Sequence, residues 1–263
     1  MAVLALLPSP IPAFVLDHCR HHRLISSRPH ACTRSTRILA STNKWNIEIS
    51  RGLLPQTSLA DVADLLAAAF GESGGDDDDY NLEKHSLDSI NPIKLAEEFN
   101  FKLRLMAALQ FRALTEGRQY ITVVARCPAT GNVAGVVTLA PGLGPADAEG
   151  HLEDDVADDQ TIASISNMAV EENSRRQGLG KILLETVEGA SGGWPAPPCL
   201  FALSVYRTNE DAIRLYKNSG YVVDEKWIDP KWLRAAERGL VSGTRRSLMI
   251  KKVSMWETES EEE

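Results

Sequence analysis

The chain has 263 residues, 43% of them hydrophobic and 24% charged, with a formal net charge of −8. That is the composition of a soluble globular protein, long for one ordinary domain and short for two. No apolar run approaches the roughly 20 residues of a membrane helix. The four cysteines, Cys19, Cys32, Cys127 and Cys199, have neither metal-ligand spacing nor a disulfide framework, which points to a reducing compartment and no structural metal, while the lack of a long apolar run argues against a membrane partner.

The charge is uneven. Residues 1–41 hold five Arg and one acid, Asp17, a net of about +4. Subtraction leaves 23 Lys and Arg against 35 Asp and Glu in 42–263, a net of −12. Nucleic-acid binding needs clustered cations to neutralise phosphate, so an acidic body argues against it. It suits a cationic partner, such as an amine or a basic protein.

Residues 1–41 are rich in Arg, Ser, Thr and His and nearly free of acids, as transit peptides are. MAVLALL is too short, and lacks the preceding basic residues, for a secretory signal. Pro8, Pro10 and Pro12 make a long mitochondrial-type amphipathic helix costly. The expectation is a plastid transit peptide over 1–41, with a mitochondrial address as the alternative. A folded domain over 42–253 and an acidic tail over 254–263 follow.

Trp45 to Ser50 alternates and predicts a first strand. Ser58 to Phe70 predicts a helix capped by Ser58. Gly71 to Asp79 is an acidic loop. Pro92 to Thr115 predicts a longer helix with a stripe through Leu95, Phe99, Leu103 and Met106. Tyr120 to Arg126 and Val133 to Leu139 are strands joined by the turn PATGN. A loop follows from Pro141 to Asp159, then a strand from Thr161 to Val170 and a helix from Gly178 to Gly189. Leu200 to Val205 is a strand and Asn209 to Asn218 a helix. Strands over Tyr221 to Lys226 and Arg245 to Val253 end the sheet. Strands and helices alternating in this order predict an α/β (α+β) fold with a central mixed, mostly antiparallel sheet and helices on both faces.

The strongest local signal is SISNMAVEENSRRQGLGKILL, Ser164 to Leu184. An apolar strand ends at Met168-Ala169-Val170, a loop carries Arg175 and Arg176, and Gly178 and Gly180 open an amphipathic helix. Glycines let backbone approach a phosphate closely, and the free N–H groups of a helix N-terminus point at the anion. Further on, Asn209, Ala212 and Tyr216 are spaced to share one helix face, and Gly220 ends that helix.

Taken together, strand, Arg-x-x-Gly-x-Gly and helix, followed by a strand and the Asn209–Tyr216 helix, resemble the acetyl-CoA-binding core of the GNAT superfamily of N-acetyltransferases. The resemblance is to ribosomal-protein alanine acetyltransferases and to plastid GNAT enzymes that acetylate protein N-termini and lysines. It covers about 45–253 in layout and about 162–222 in specific residues. It implies acetyl-CoA as co-substrate, no metal, and protein or peptide amines as acceptors, with direct transfer to the amine. The backbone of Met168, Ala169 and Val170 would pair with the pantetheine arm where the sheet splays after Val170, and a backbone N–H there would face the thioester oxygen. The N–H groups of Arg176, Gln177, Gly178, Leu179, Gly180 and Lys181 would hold the pyrophosphate. Asn209 would bond to the pantetheine or its neighbouring loop, and Tyr216 would be the general acid for the leaving thiolate.

One departure stands out. The alanine acetyltransferases carry a Glu base five residues before the Asn, where this chain has Ser204. The amine would lose its proton through water to an acid such as Asp155 or Asp158, or would arrive already neutral. Other acceptors, a small polyamine or arylalkylamine, fit the same motifs, as does a non-catalytic acyl-CoA-binding module. The acidic run at 153–159 could rim the acceptor mouth or be a solvated loop. Trp227 and Trp232, expected in a loop between the last strands, could bind acceptor or simply pack. The oligomeric state is not legible.

Overall fold

The computed structural model describes residues 38–42, 44–70, 92–142, 152, 161–239 and 245–253. Residues 1–37, the acidic loop 71–79, His85, His151, the acidic run 153–159 and residues 254–263 lie outside the described residues.

Among the described residues, eight strands form one sheet. They are β1 (Ile38–Thr42), β2 (Trp45–Arg51), β3 (Ile121–Arg126), β4 (Val133–Pro141), β5 (Thr161–Val170), β6 (Pro198–Tyr206), β7 (Val222–Val223) and β8 (Arg246–Lys252). The spatial order is β1-β2-β3-β4-β5-β6-β8-β7. Every pair is antiparallel except β5 with β6. That parallel pair needs a crossover, which α3 (Leu179–Ser191) supplies.

Helices cover both faces, as the alternation of strands and helices predicts. α1 (Gln56–Phe70) and α2 (Pro92–Glu116) lie on one face. Leu59, Val62, Leu66 and Leu109 pack there onto Val124, Val136 and Ala169. On the other face Leu179, Leu183, Leu184 and Val187 of α3, with Tyr216 of α4 (Glu210–Asn218), pack onto Val123, Val137, Leu139 and Ile165. Central strands covered on both faces read as continuous apolar runs, which is why ITVVAR and VAGVVTLAP are so rich in Val. Burying each such Val or Leu is worth about 1.5–3 kcal/mol.

Several elements differ from the sequence expectation. α1 begins at Gln56, so Ser58 sits inside the helix, buried, and accepts a bond from Arg126 Nη2 (3.2 Å) instead of capping. The buried stripe of α2 runs through Leu105, Met106, Leu109 and Ala113, while Phe99 and Leu103 are exposed; exposed apolar residues had shifted the apparent phase. The strand expected over Tyr221 to Lys226 is reduced to Val222–Val223. β1 lies mostly before residue 42, so the sheet begins at Ile38.

The loop expected around Trp227 and Trp232 contains a helix, α5 (Pro230–Glu237). Asp229 caps it, accepting from Lys231 N–H (3.1 Å), and Pro230 opens it with its φ already set. Trp227 is buried among Leu152, Ile162, Leu200 and Leu248. Trp232 lies on α5 with the Arg245 guanidinium 4.9 Å from its ring centroid.

Candidate active site

The sheet opens between its two parallel strands. β5 pairs with β6 from Thr161↔Pro198 to Ser164↔Ala202, and there the pairing stops. β5 runs on to Val170 paired with β4, and β6 runs on to Tyr206 paired with β8. The strands therefore splay after Ser164, six residues earlier than Val170, where the sequence reading set the opening.

A bulge in β5 accompanies the splay. Val136 faces Ala169 while Thr138 faces Ser166, so β5 spends one residue more than β4 over the same stretch. Asn167 takes the extra place at φ 51°, a left-handed conformation that Asn tolerates better than most residues. Its Nδ2 donates to Thr138 Oγ1 (3.0 Å). A bulge bends the strand and breaks its alternation. Ile165, Met168 and Val170 consequently all pack toward α3 and α4, while Ala169 packs toward α1. The sequence reading treats β5 as a plain strand; an Asn amid apolar residues was the one available signal.

The loop after β5 is folded on its own bonds. Glu171 accepts from Asn173 Nδ2 (2.8 Å) and Ser174 Oγ (3.0 Å). Slight burial raises the Glu171 pKa, and hydrogen bonds from the Asn173 backbone N–H, from these side chains and from the Ser174 backbone N–H more than offset that, holding the carboxyl below its ordinary value. Arg175 Nε donates to Val170 O (3.0 Å), and Gln177 Nε2 to Asn173 O (2.7 Å). Arg176 reaches across to Asp211 at the start of α4 (3.1 Å), an exposed pair that solvent screens.

Gly178 is the N-cap of α3 at φ 82°. A Cβ there would meet no protein atom within 4 Å, so the backbone conformation, not packing, calls for Gly. Gly180 has a different reason. A Cβ there would lie 2.9 Å from Leu215 Cδ2, so this glycine lets α3 approach α4. The first helical bond is Ile182 N–H to Gly178 O (3.2 Å). The N–H groups of Leu179, Gly180 and Lys181 stand ahead of it at the positive end of the helix dipole.

Met168 and Tyr216 meet in the splay. Tyr216 is buried, its ring edge-on to Tyr221 with centroids 6.0 Å apart, and its hydroxyl donates to Met168 Sδ (3.6 Å). Burial pushes its pKa up to about 12. The Met168 methyl also lies 3.5 Å from where a Gly180 Cβ would be, so this thioether sits between β5, α3 and α4. Asn209 is the N-cap of α4, its Oδ1 accepting from Ala212 N–H (3.1 Å). That bond commits its oxygen to the helix and leaves its Nδ2. Ser204 is half-buried on β6 beyond the last β5–β6 pair, on the opposite wall of the splay from Ser166. The structure thus brings Met168 to Val170, the residues 176–181 and Tyr216 to one cleft, with Asn209 at its α4 rim.

A family model described as "Acetyltransferase (GNAT) family" matches residues 87–221, just over half of the chain. No curated protein matches the chain in sequence. Among solved structures, NAA60 from Arabidopsis thaliana in complex with acetyl-CoA is 20% identical, with 63% of this chain and 97% of that chain covered and a TM-score of 0.43. The PaiA N-acetyltransferase from Thermoplasma acidophilum in complex with coenzyme A is 14% identical, covering 79% and 99%, with a TM-score of 0.47. PH1933 from Pyrococcus horikoshii is 15% identical, covering 80% and 99%, with a TM-score of 0.48. With the family model spanning from α2 to Tyr221 and with the splayed sheet, the glycine-opened helix and the Tyr216 helix in the order its motifs require, this chain belongs to the GNAT acetyltransferase family and is an N-acetyltransferase.

Proposed function

We propose that the chain acetylates amines of proteins or peptides, N-terminal amines before lysine side chains, with acetyl-CoA as donor and by direct transfer. The observation that carries this is the splay between β5 and β6, which ends at the open N-terminus of α3 and holds the Tyr216 hydroxyl on a sulfur.

Acetyl-CoA fits the cleft's chemistry. The N–H groups from Arg176 to Lys181 would hold the pyrophosphate, and the absence of a Cβ at Gly178 leaves space for it. The backbone of Met168, Ala169 and Val170 would pair with the pantetheine amides along the edge that β6 gives up. Asn209 Nδ2 is the group left to reach that arm. Bound there, the co-substrate supplies a thioester carbonyl for the amine nitrogen to attack. The C–S bond breaks, and the Tyr216 hydroxyl stabilises the departing sulfur. The amine's second proton leaves to water.

The acceptor reading rests on charge and on Ser204. The body carries a net charge of −12 over 42–263, from 23 cations against 35 acids, and draws cationic chains. With Ser204 in the place of the family's Glu, an amine that is already neutral is favoured. At pH 7.5 about a third of N-terminal amines are neutral but roughly one lysine in a thousand, since their ordinary pKa values are about 7.8 and 10.4. The test pairs one peptide with a free N-terminus and a second, N-terminally blocked, with an internal lysine, across pH 7–9.5. N-terminal acetylation should dominate at pH 7.5, with the gap closing as pH rises. A lysine preference at pH 7.5 would show that a competent base exists.

A plastid location, reached through a transit peptide over residues 1–41, belongs to the same proposal and is supported by the basic, acid-poor, proline-interrupted leader.

A further inference from the structure

α4 ends in a Schellman closure. Gly220, at φ 90°, turns the chain back, so that its own N–H donates to Lys217 O (3.1 Å) and the Tyr221 N–H donates to Tyr216 O (3.0 Å). The same turn sets the Tyr221 ring edge-on against the Tyr216 ring. Tyr221 is 1% exposed. Its hydroxyl donates to Glu188 Oε1 on α3 (2.7 Å), and Lys251 Nζ on β8 donates to the other oxygen, Oε2 (2.6 Å). That ammonium also lies 5.6 Å from the centroid of the Tyr221 ring. Residues from α3, α4 and β8 thus converge on Tyr221.

The Tyr216 hydroxyl itself is held only by the Met168 sulfur at 3.6 Å. A thioether is a weak acceptor, so that bond cannot fix the phenol; the packing of its ring must. Tyr221 is suited to that task because it is tied at both ends, by its N–H in the turn and by its hydroxyl on a carboxylate. Hydrogen bonds to a carboxylate are shorter than neutral ones and about twice as strong. Lys251 supplies the counter-charge that Glu188, its side chain 13% exposed, needs where it stands. Phe at 221 would fill the same space and leave the far end of the ring untied.

We propose that Tyr221 is a positioning residue for acetyl transfer: Glu188 and Lys251 lock its ring, and that ring holds the Tyr216 phenol where the leaving sulfur develops its charge. The proposal rests on the reading above in which Tyr216 stabilises the departing sulfur. Tyr221, Glu188 and Lys251 act through Tyr216 and not on the reacting atoms. A misplacement of 1 Å in a catalytic group can cost roughly 100-fold in rate. Untying one end of a ring that stays packed costs less, about fivefold.

Tyr221→Phe tests this in the full-length protein, with single-turnover kinetics for the chemical step and calorimetry for acetyl-CoA. The single-turnover rate should fall about fivefold while the acetyl-CoA Kd and the acceptor KM stay unchanged. In a Tyr216→Phe background the same substitution should cost nothing further, because no hydroxyl is left to aim. Glu188→Gln, whose amide oxygen still accepts from Tyr221, should keep more of the rate than Glu188→Ala. An undiminished rate in Tyr221→Phe overturns the proposal. So does a full fivefold loss on top of Tyr216→Phe, a loss carried by the acetyl-CoA Kd, or equal rates in the two Glu188 variants, since each shows the cluster serving the fold at large. Tyr216→Phe alone reads the layer beneath: full turnover there removes the role of Tyr216 and this proposal with it, whereas a loss there and none in Tyr221→Phe overturns the positioning alone.

Discussion

Tyr216 illustrates how burial alters what a residue can do. Its phenol is pushed up to about 12 by desolvation, against about 8.5 for a thiol of the cysteine kind. Handing a proton to a leaving thiolate would then be uphill by about 3.5 pKa units, roughly 5 kcal/mol. The useful role is a hydrogen bond to the developing sulfur anion with the proton retained. Tyr216 already makes such a bond, to the Met168 thioether. Tyr216→Phe is expected to lower kcat at least about tenfold while the acetyl-CoA Kd stays nearly unchanged, because general acids and related donors contribute about 10²–10⁴-fold. Single-turnover kinetics beside calorimetry separates the two quantities. Wild-type turnover where chemistry is rate-limiting would leave solvent as the thiolate's partner. The sequence located this side chain by its spacing from Asn209 and Ala212; its raised pKa depends on Tyr221, Met168 and the rest of its surroundings, which come from other elements.

At the scale of elements, α5 and β8 depend on one buried carboxylate. Asp229 is 1% exposed and accepts from Lys231 N–H, Arg246 N–H (3.0 Å), Arg246 Nε (2.9 Å) and Arg246 Nη2 (2.7 Å). Burial alone would raise its pKa, but the bonds and charge of Arg246 prevail and hold it below the ordinary carboxylate value. A depressed pKa means that its stabilisation is fully present above the unfolded value of about 3.9 and is lost as pH falls through the folded value. Asp229→Ala removes the carboxylate that accepts three bonds from Arg246 and caps α5, and should cost about 3 kcal/mol. Denaturant unfolding at pH 7 and at progressively lower pH measures it. The difference between variant and wild type should shrink only at pH below about 4, and a difference that is flat down to pH 2 would refute the linkage. Asp229-Pro230 was a legible start signal, yet eight residues are too few for an apolar period to declare a helix, so the segment reads as a loop. The α2 stripe failed for a different cause: Phe99, Leu103, Phe111 and Leu114 are exposed, and periodicity cannot distinguish an apolar face that is covered from one that is not.

By charge the chain divides into a basic N-terminal segment, residues 1–41 at +4, and an acidic body, residues 42–263 at −12. If the leader is a plastid address, residues 1–60 fused to a fluorescent reporter should carry it into plastids, and the imported protein should lose its N-terminal segment. Fluorescence in the cytosol or the secretory pathway would refute the address. β1 adds a constraint that composition lacks. Ile38 to Thr42 pairs residue by residue with Ile49 to Trp45, so processing after residue 41 would strip most of an edge strand. The mature N-terminus should therefore fall before Ile38, which intact-mass measurement of the imported protein decides.

The sequence by itself determined the order of strands and helices from β2 to β8 except for α5, the glycine-opened helix after β5, the shared face of Asn209, Ala212 and Tyr216, and the family. These are local signals, carried by side-chain period, by Gly and by capping residues within one element or its neighbour. Only the tertiary structure decided where β5 and β6 part, which way Met168 points, and that Gly180 serves packing. Each of those depends on register between strands far apart in sequence. A single inserted residue at Asn167 reverses the faces of every residue after it in β5, and no period within one segment records how its partner is aligned.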